Sequence, residues 1–434
     1  MRYAVGSIRK RYGMFLLNFV IIALCFYITD TLVTDYIHKE KSETMQLDML
    51  QYEPERTGKL LFNSGITLDA YDEMLEYQEG IRSVLEQIEA MEEIEKFGSF
   101  RYTSGESQDL ARCAGMLQWY EERNQRKLEA ETMDVSVLQL YGDAVHLGKL
   151  ELQQGNIETF FQPGEEVKQV LVGADFAEIL KVGDQFYMQT YADSTEHLYQ
   201  VAGVLKQSSH WFGENAFFLR GLQTLDSAMV IADSQAIPEI SGEMSTPGAE
   251  YYFCLKEGCD QEDALENIQT MFREKAVVGR SGMVMALLDE MMDTMRESLK
   301  KQMQFCAAVL GVAFLFLTVY LVIQVWERKK EFGIICACGM ERRDLVAILC
   351  AEEIMTSVFA WIFIYIWRWL EVYKNTKGPY MPGDPQESFS WMMREVHSRE
   401  TLFITWILLL GIGVATWIII KVVLRKKEIV NLLR

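Results

Sequence analysis

Phe305-Cys-Ala-Ala-Val-Leu-Gly-Val-Ala-Phe-Leu-Phe-Leu-Thr-Val-Tyr-Leu-Val-Ile-Gln-Val325 contains no charged residue. After Trp326 and Glu327 it gives way to Arg328-Lys-Lys-Glu-Phe-Gly-Ile-Ile-Cys-Ala-Cys-Gly-Met-Glu-Arg-Arg-Asp-Leu345. At about 1.5 Å of rise per residue, ~20 apolar residues cross the hydrocarbon core of a bilayer as one helix. The second stretch therefore begins where the membrane ends. Its Arg328, Lys329, Lys330, Arg342 and Arg343 mark that side as cytoplasmic. A short, basic, glycine-punctuated segment between two membrane helices suits docking of a soluble partner.

Working outward, three more apolar runs appear, at 14–33, 354–370 and 402–423. They place spans at 14–34, 304–326, 346–370 and 402–423. The first follows Arg2, Arg9, Lys10 and Arg11 as a signal peptide would. It is near full spanning length, however, and no small-x-small cleavage site follows, so it reads as a retained anchor. Basic residues also follow the fourth run (Lys421, Arg425, Lys426, Lys427, Arg434). Hence segments 1–13 and 424–434 are expected in the cytoplasm, with 327–345 on the same side. By parity, 35–303 and the loop 371–401 lie outside, in a multi-pass protein of the plasma membrane.

The mean hydropathy near zero hides two populations. Of the 62 acidic residues in the 434-residue chain, 49 fall in 35–303, against 23 of the 42 basic ones. An acidic domain of this size can bury its own core, and it repels nucleic acid and anionic lipid. The expected fold class is thus an α-helical membrane protein with four transmembrane helices and a large α+β extracytoplasmic domain inserted between the first and second.

Inside that domain, apolar residues from Ile81 to Ile94 recur at helical spacing, predicting a helix over 69–97 closed by Gly98. A second helical segment is expected over 107–127. Strands are expected at 135–141, 167–172, 185–191, 198–205 and 250–256, where β-branched and aromatic residues concentrate. A short helix is expected at 173–180 and a capped one at 260–275. Residues 283–303 lack Gly and Pro and read as a helical stalk. Cys254 and Cys259 are spaced so that a bridge and two free thiols are both open readings. The remaining thiols read as buried and free, and no Cys or His spacing suggests a metal site. Ser208-Ser209-His210 reads as a polar turn, because adjacent residues cannot present a catalytic triad. Asp30 reads as an interfacial cap, Asn18 as a hydrogen-bonding partner for a neighbouring helix, and Arg368 as snorkelling outward beside Trp367 and Trp369.

The topology and the opening segment together resemble the FtsX/MacB-type permeases of ABC transporters. In the family's pattern a basic run leads into Glu-Ile-Gly-Ile-x-x-Ala-x-Gly and a later aliphatic position. Here Lys330, Glu331, Gly333, Ile334, Ala337, Gly339, Arg343 and Leu345 fall at matching positions, with Phe332 in place of the usual Ile. Glu352 or Glu353 matches an acidic residue that opens the family's third helix, and 425–434 resembles its basic tail. A weaker likeness covers Val170–Asp184 and Tyr199–Leu205 in the outer domain. The third span departs from the family, offering Trp361, Trp367, Arg368 and Trp369 where glycines are usual.

The resemblance implies a non-catalytic permease subunit. A separate ABC ATPase would carry ATP and Mg, with no cofactor bound by this chain, which has no Gly-x-x-x-x-Gly-Lys-[Ser/Thr] loop. Lys330, Glu331, Gly333, Ile334, Ala337, Gly339, Arg342, Arg343 and Leu345 would couple to that ATPase. A second permease copy, like or unlike, would complete a dimer in membrane lipid, with an extracytoplasmic adaptor or substrate as a further partner. The task implied is mechanotransmission, with export of a peptide or other amphipathic substrate placed ahead of lipoprotein or lipid extraction and of cell-wall hydrolase control. A ligand-binding membrane receptor is the rival class. It needs no third and fourth spans, and no signalling domain follows.

Overall fold

The computed structural model describes residues 12–62, 71–124, 126–161, 166–191, 193–212, 224–238, 249–376 and 399–423. The expected basic clusters at 1–11 and 424–434 lie outside this set, as does most of the loop 371–401. The chain divides into two compact units. One comprises Lys39–Asp293 and Thr376–Trp391; the other comprises Met1–His38, Thr294–Asn375 and Met392–Arg434.

Among the described residues, the first unit is built on ten strands: β1 Thr57–Phe62, β2 Ile94–Ser107, β3 Met133–Gly142, β4 Leu152–Gly155, β5 Lys168–Val172, β6 Gln185–Thr190, β7 Asp193–Leu205, β8 Ala228–Asp233, β9 Glu250–Leu255 and β10 Gly279–Met283. They pair in the order β10-β1-β9-β2-β3-β8-β5-β7-β4, and β6 pairs with both β2 and β7.

Two lobes share β2. In the first, β10, β1, β9 and the start of β2 are antiparallel neighbours. Helix Tyr71–Glu89 connects β1 to β2, and helix Gln261–Glu274 connects β9 to β10. These are two interleaved split β-α-β units, the ferredoxin-like arrangement. Their core holds Ile81, Val84, Leu85 and Ile88 from one helix and Ala264, Ile268 and Phe272 from the other, against Leu60, Phe97, Tyr251 and Phe253 of the sheet. Asp260 caps the second helix by accepting from the amides of Glu262 and Asp263.

The second lobe is a closed ring. β2 pairs β3, β3 pairs β8 in parallel, β8 pairs β5, β5 pairs β7 in parallel, β7 pairs β6, and β6 returns to β2 at Gly105↔Thr190 and Glu106↔Gln189. Alternate residues fill one core: Val135 and Val137, Val170 and Val172, Phe186 and Met188, Met229 and Ile231. The residues between them, including Leu138, Leu140, Leu171 and Val230, join a second core with Phe100, Trp211, Phe212 and Tyr252. Because both faces of β3 and β8 are buried, their sequences show apolar runs, whereas β6 alternates exposed and buried residues.

Several expectations are corrected. The helix expected over 69–97 ends at Glu89, and Ile94–Phe97 belong to β2. Gly98 does not close a helix; it sits inside the strand, where a Cβ would meet the Ala144 amide nitrogen at 2.2 Å. The segment 107–127 forms two helices, Gln108–Arg112 and Ala114–Asn124, the first capped by the Ser107 hydroxyl. Residues 173–180 hold only a 3-10 turn, Ala174–Phe176. Cys254 and Cys259 are free thiols, and burial pushes the Cys254 thiol up to about 11, which keeps it protonated and unreactive.

In the second unit, four helices among the described residues are long and apolar enough to cross a membrane: Phe15–Thr34, Arg296–Glu327, Arg343–Lys374 and Thr401–Val422. The helix containing the second of these runs Val284–Glu327 without a break, and the one containing the third runs Arg342–Thr376. Glu352 and Glu353 therefore lie well inside the third helix and do not open it.

Candidate coupling corner

The residues after the second apolar helix form a short helix, Lys329–Ala337, a turn, and the start of helix Arg342–Thr376. The turn is fixed from both sides. Gly339 has φ +94°, and the Met340 amide donates back to the Ile335 carbonyl at 3.3 Å, closing the short helix with a left-handed glycine. On the other side, Asp344 reaches back to accept from the Glu341 amide at 3.2 Å, the reciprocal half of a capping box. Nothing lies within 4 Å of a Cβ built on Gly339, so the conformation and not crowding calls for glycine there.

The nine residues expected to couple divide by burial. Leu345 is buried with Phe332, Val325, Leu349 and Ile420 in a small core, and Gly333 is buried on the same short helix. Glu331 is half-buried and pairs with Arg328 at 3.4 Å. Ile334 is 66% exposed, and Gly339 and Arg343 are exposed beside it in sequence, together with Cys338 and Met340. The backbones of Lys330, Ala337 and Arg342 fall in the helices as given, while their side chains lie outside the described set. The corner thus offers an apolar tip, Ile334 and Met340, with the Glu341–Arg343 pair at 2.6 Å alongside.

What anchors the corner escapes a reading by pattern alone. Arg328 is fully buried. Its Nη1 donates to Glu352 Oε2 at 2.6 Å, and its guanidinium lies 4.8 Å from the centre of the Phe332 ring. Gln324 also donates to Glu352, at 3.4 Å. Arg328, in the turn after the second helix, therefore ties that turn to the third helix. Beside it, Asn18 Nδ2 donates to both oxygens of Glu353 at 2.8 and 3.0 Å, the inter-helix bond expected of that asparagine. At the far end, Arg368 does not snorkel. It pairs with Asp30 at 3.1 Å and Glu371 at 2.7 Å, so Asp30 is an ion-pair partner and not a cap. The available signal was charge inside apolar runs, because an intramembrane acid demands an internal partner.

Residues 304–385 match the family model described as FtsX-like permease C-terminal. This segment is similar to the C-terminal domain of FtsX-like permeases. It contains the corner, the Arg328–Glu352 pair and the whole third apolar helix. No curated protein matches the chain. Among solved structures, the chain is similar to the extracellular domain of the noncanonic ABC-type transporter YknZ from Gram-positive bacteria. The identity is 12% over 52% of this chain and 97% of that one, with a TM-score of 0.29. It is also similar to the periplasmic region of MacB from Actinobacillus actinomycetemcomitans, at 9% identity over 59% and 97%, with a TM-score of 0.32. The fold of the α+β unit is described by its own strand pairing.

Other candidate positions are structural. The Ser209 amide donates to the Lys206 carbonyl and the Ser208 amide to Asp226 Oδ1, so Ser208-Ser209-His210 is a turn, with His210 buried behind it. Among the described residues, no group of three or more His, Cys, Asp or Glu is placed to hold a metal ion.

Proposed function

We propose that the chain is the permease subunit of an ABC transporter, and that the corner at residues 331–345 seats a separate ATPase subunit. The observation that carries this is an apolar tip, Ile334 and Met340, left exposed on a corner whose other side is pinned by Phe332, Leu345 and the Arg328–Glu352 pair. Exposed apolar residues on a rigid mount favour a protein partner over plain solvent. The partner binds ATP and Mg; this chain contributes position and transmission. Both termini and the corner lie in the cytoplasm, the α+β unit lies outside, and two permeases, like or unlike, assemble with two ATPases.

Transmission runs through helix Val284–Glu327, which carries no proline and whose first glycine is Gly311. A continuous helix without proline moves as a rod, so a push at its inner end reaches the residues leading out of the α+β unit. The work supported by an acidic outer domain is export of a peptide or other amphipathic, preferably cationic, substrate. The discriminating experiment is Ile334→Glu in the tagged full chain, purified gently from native membranes. The expected result is loss of a co-purifying ATPase with membrane insertion unchanged. An ATPase retained at the normal ratio overturns the docking assignment.

A further inference from the structure

The third apolar helix carries two adjacent acids, and they are treated differently. Glu352 is paired with Arg328 at 2.6 Å and is reached by Gln324. Glu353 is 2% exposed, and its hydrogen bonds come from one neutral group, the Asn18 amide of the first helix. No cation among the described residues reaches it. Among the described residues, the charged groups near it are engaged elsewhere: Arg328, in the turn after the second helix, by Glu352 and Glu331, and Lys421 of the fourth helix over the Trp417 ring at 4.4 Å; on its own helix the titratable neighbours are Glu352 and, one turn earlier, Cys350. On its own helix, the Thr356 hydroxyl donates to the Glu352 carbonyl, not to Glu353. Asn18 is itself 1% exposed, and its Oδ1 has no hydrogen-bond partner.

An ionised carboxylate at such a site lacks compensation, and an orphaned amide oxygen beside it adds a second cost. One particle removes both. A proton placed on Glu353 neutralises the carboxyl and supplies a donor. A rotation of the Asn18 side-chain amide then lets Oδ1 accept the carboxyl O–H while Nδ2 still donates to the other oxygen. Amide orientation is free to follow the hydrogen bonding in this way. The geometry points to Glu353 and Asn18 as a proton-binding site, in which the bound proton joins the first and third helices at their inner ends. The step is simple protonation of a carboxylate, with solvent protons as the source. It is independent of the docking reading, since it involves neither Ile334 nor the ATPase.

The test uses the full chain in lipid nanodiscs without any ATPase, with pH as the only variable. Infrared difference spectra between wild type and Glu353→Gln at neutral pH are expected to show a protonated-carboxyl stretching band in the wild type that the variant loses. Asn18→Leu is expected to keep that band but shift it, because its hydrogen-bond partner is gone. As a second reading, the wild-type melting temperature falls relative to that of Glu353→Gln as pH rises from the ordinary carboxylate range through neutral. The isosteric Gln preserves volume and both helix neighbours, which guards against simple misfolding. A neutral-pH difference spectrum with no carboxyl band, or a gap between the wild-type and Glu353→Gln melting temperatures that stays constant with pH, would overturn the proposal.

Discussion

The two units differ in how large a share of their buried side chains is polar. In the α+β unit apolar side chains dominate the interior: Val135, Val137, Val170, Phe186 and Ile231 fill the ring lobe, and Ile81, Ile268 and Phe272 the other, with Lys59, Gln139, His210 and Asp226 among the buried polar minority. In the membrane unit many of the exposed side chains are large and apolar, including Leu315, Phe316, Trp326, Phe359 and Leu410. Its buried set includes Asn18, Asp30, Arg328, Glu352, Glu353, Thr405 and Thr416. The reason is the solvent. In water, apolar burial drives packing without direction. In lipid, an apolar side chain gains little by moving from hydrocarbon to a helix interface, so polar pairs and close van der Waals fit select which helices meet. One chain therefore uses two codes for the same task.

Removing one half of a buried polar pair is the strongest way to break that comparison. Arg328→Met strands Glu352 and should cost about 4 kcal/mol, with Glu352→Gln on the same chain restoring part of it. Melting of the full chain in nanodiscs reads this out, and a loss below about 1 kcal/mol would show that the pair does not specify the packing. In the apolar code the equivalent injury is Leu138→Ala, where a fully buried residue leaves a cavity. It should cost about 3 kcal/mol in urea unfolding of the α+β unit.

A smaller effect tests whether polar burial matters in the α+β unit at all. Burial holds the Asp226 carboxyl up at about 6, from an ordinary 3.8, despite the hydrogen bond it accepts from the Ser208 amide. The folded state therefore binds this proton more tightly than the unfolded one. Its stabilising contribution is full below the ordinary value and is lost as pH rises through about 6. The swing should be on the order of 2 kcal/mol between acid and neutral pH. Urea midpoints measured across that range should lose this component in Asp226→Asn. Asp260→Ala, which removes the cap of helix Gln261–Glu274, should cost about 1 kcal/mol by the same measurement. The smallest change sharpens the contrast most. Leu315→Ala, at a residue 64% exposed on the membrane unit, should leave the melting temperature in nanodiscs nearly unchanged, although the same truncation at Leu138 does not.

Much of this was legible in the order of residues. Helix Gln261–Glu274 follows from Asp260 and the spacing of Ala264, Ile268 and Phe272, and β3, β5, β6, β7 and β9 follow from their β-branched and aromatic runs. The corner was legible too, because Gly339 and the charges around it have local reasons to be there. β2 was not. Its Ile94 continues the helical spacing of Ile81–Met91, while Gly98, Ser99 and Gly105 lack strand character. Pairing with β9 and β3 on either side, and the approach of Ala144 to Gly98, made it a strand.

By itself the sequence determined the four apolar helices found among the described residues, the acidic α+β domain and the local turn chemistry of the corner, because length, hydropathy and capping act within a few residues. Only the tertiary structure decided that β6 closes the ring onto β2, that Arg328 is an internal anchor, and that Glu353 faces Asn18 across 335 residues. Such contacts depend on which surfaces meet, and no local propensity records that.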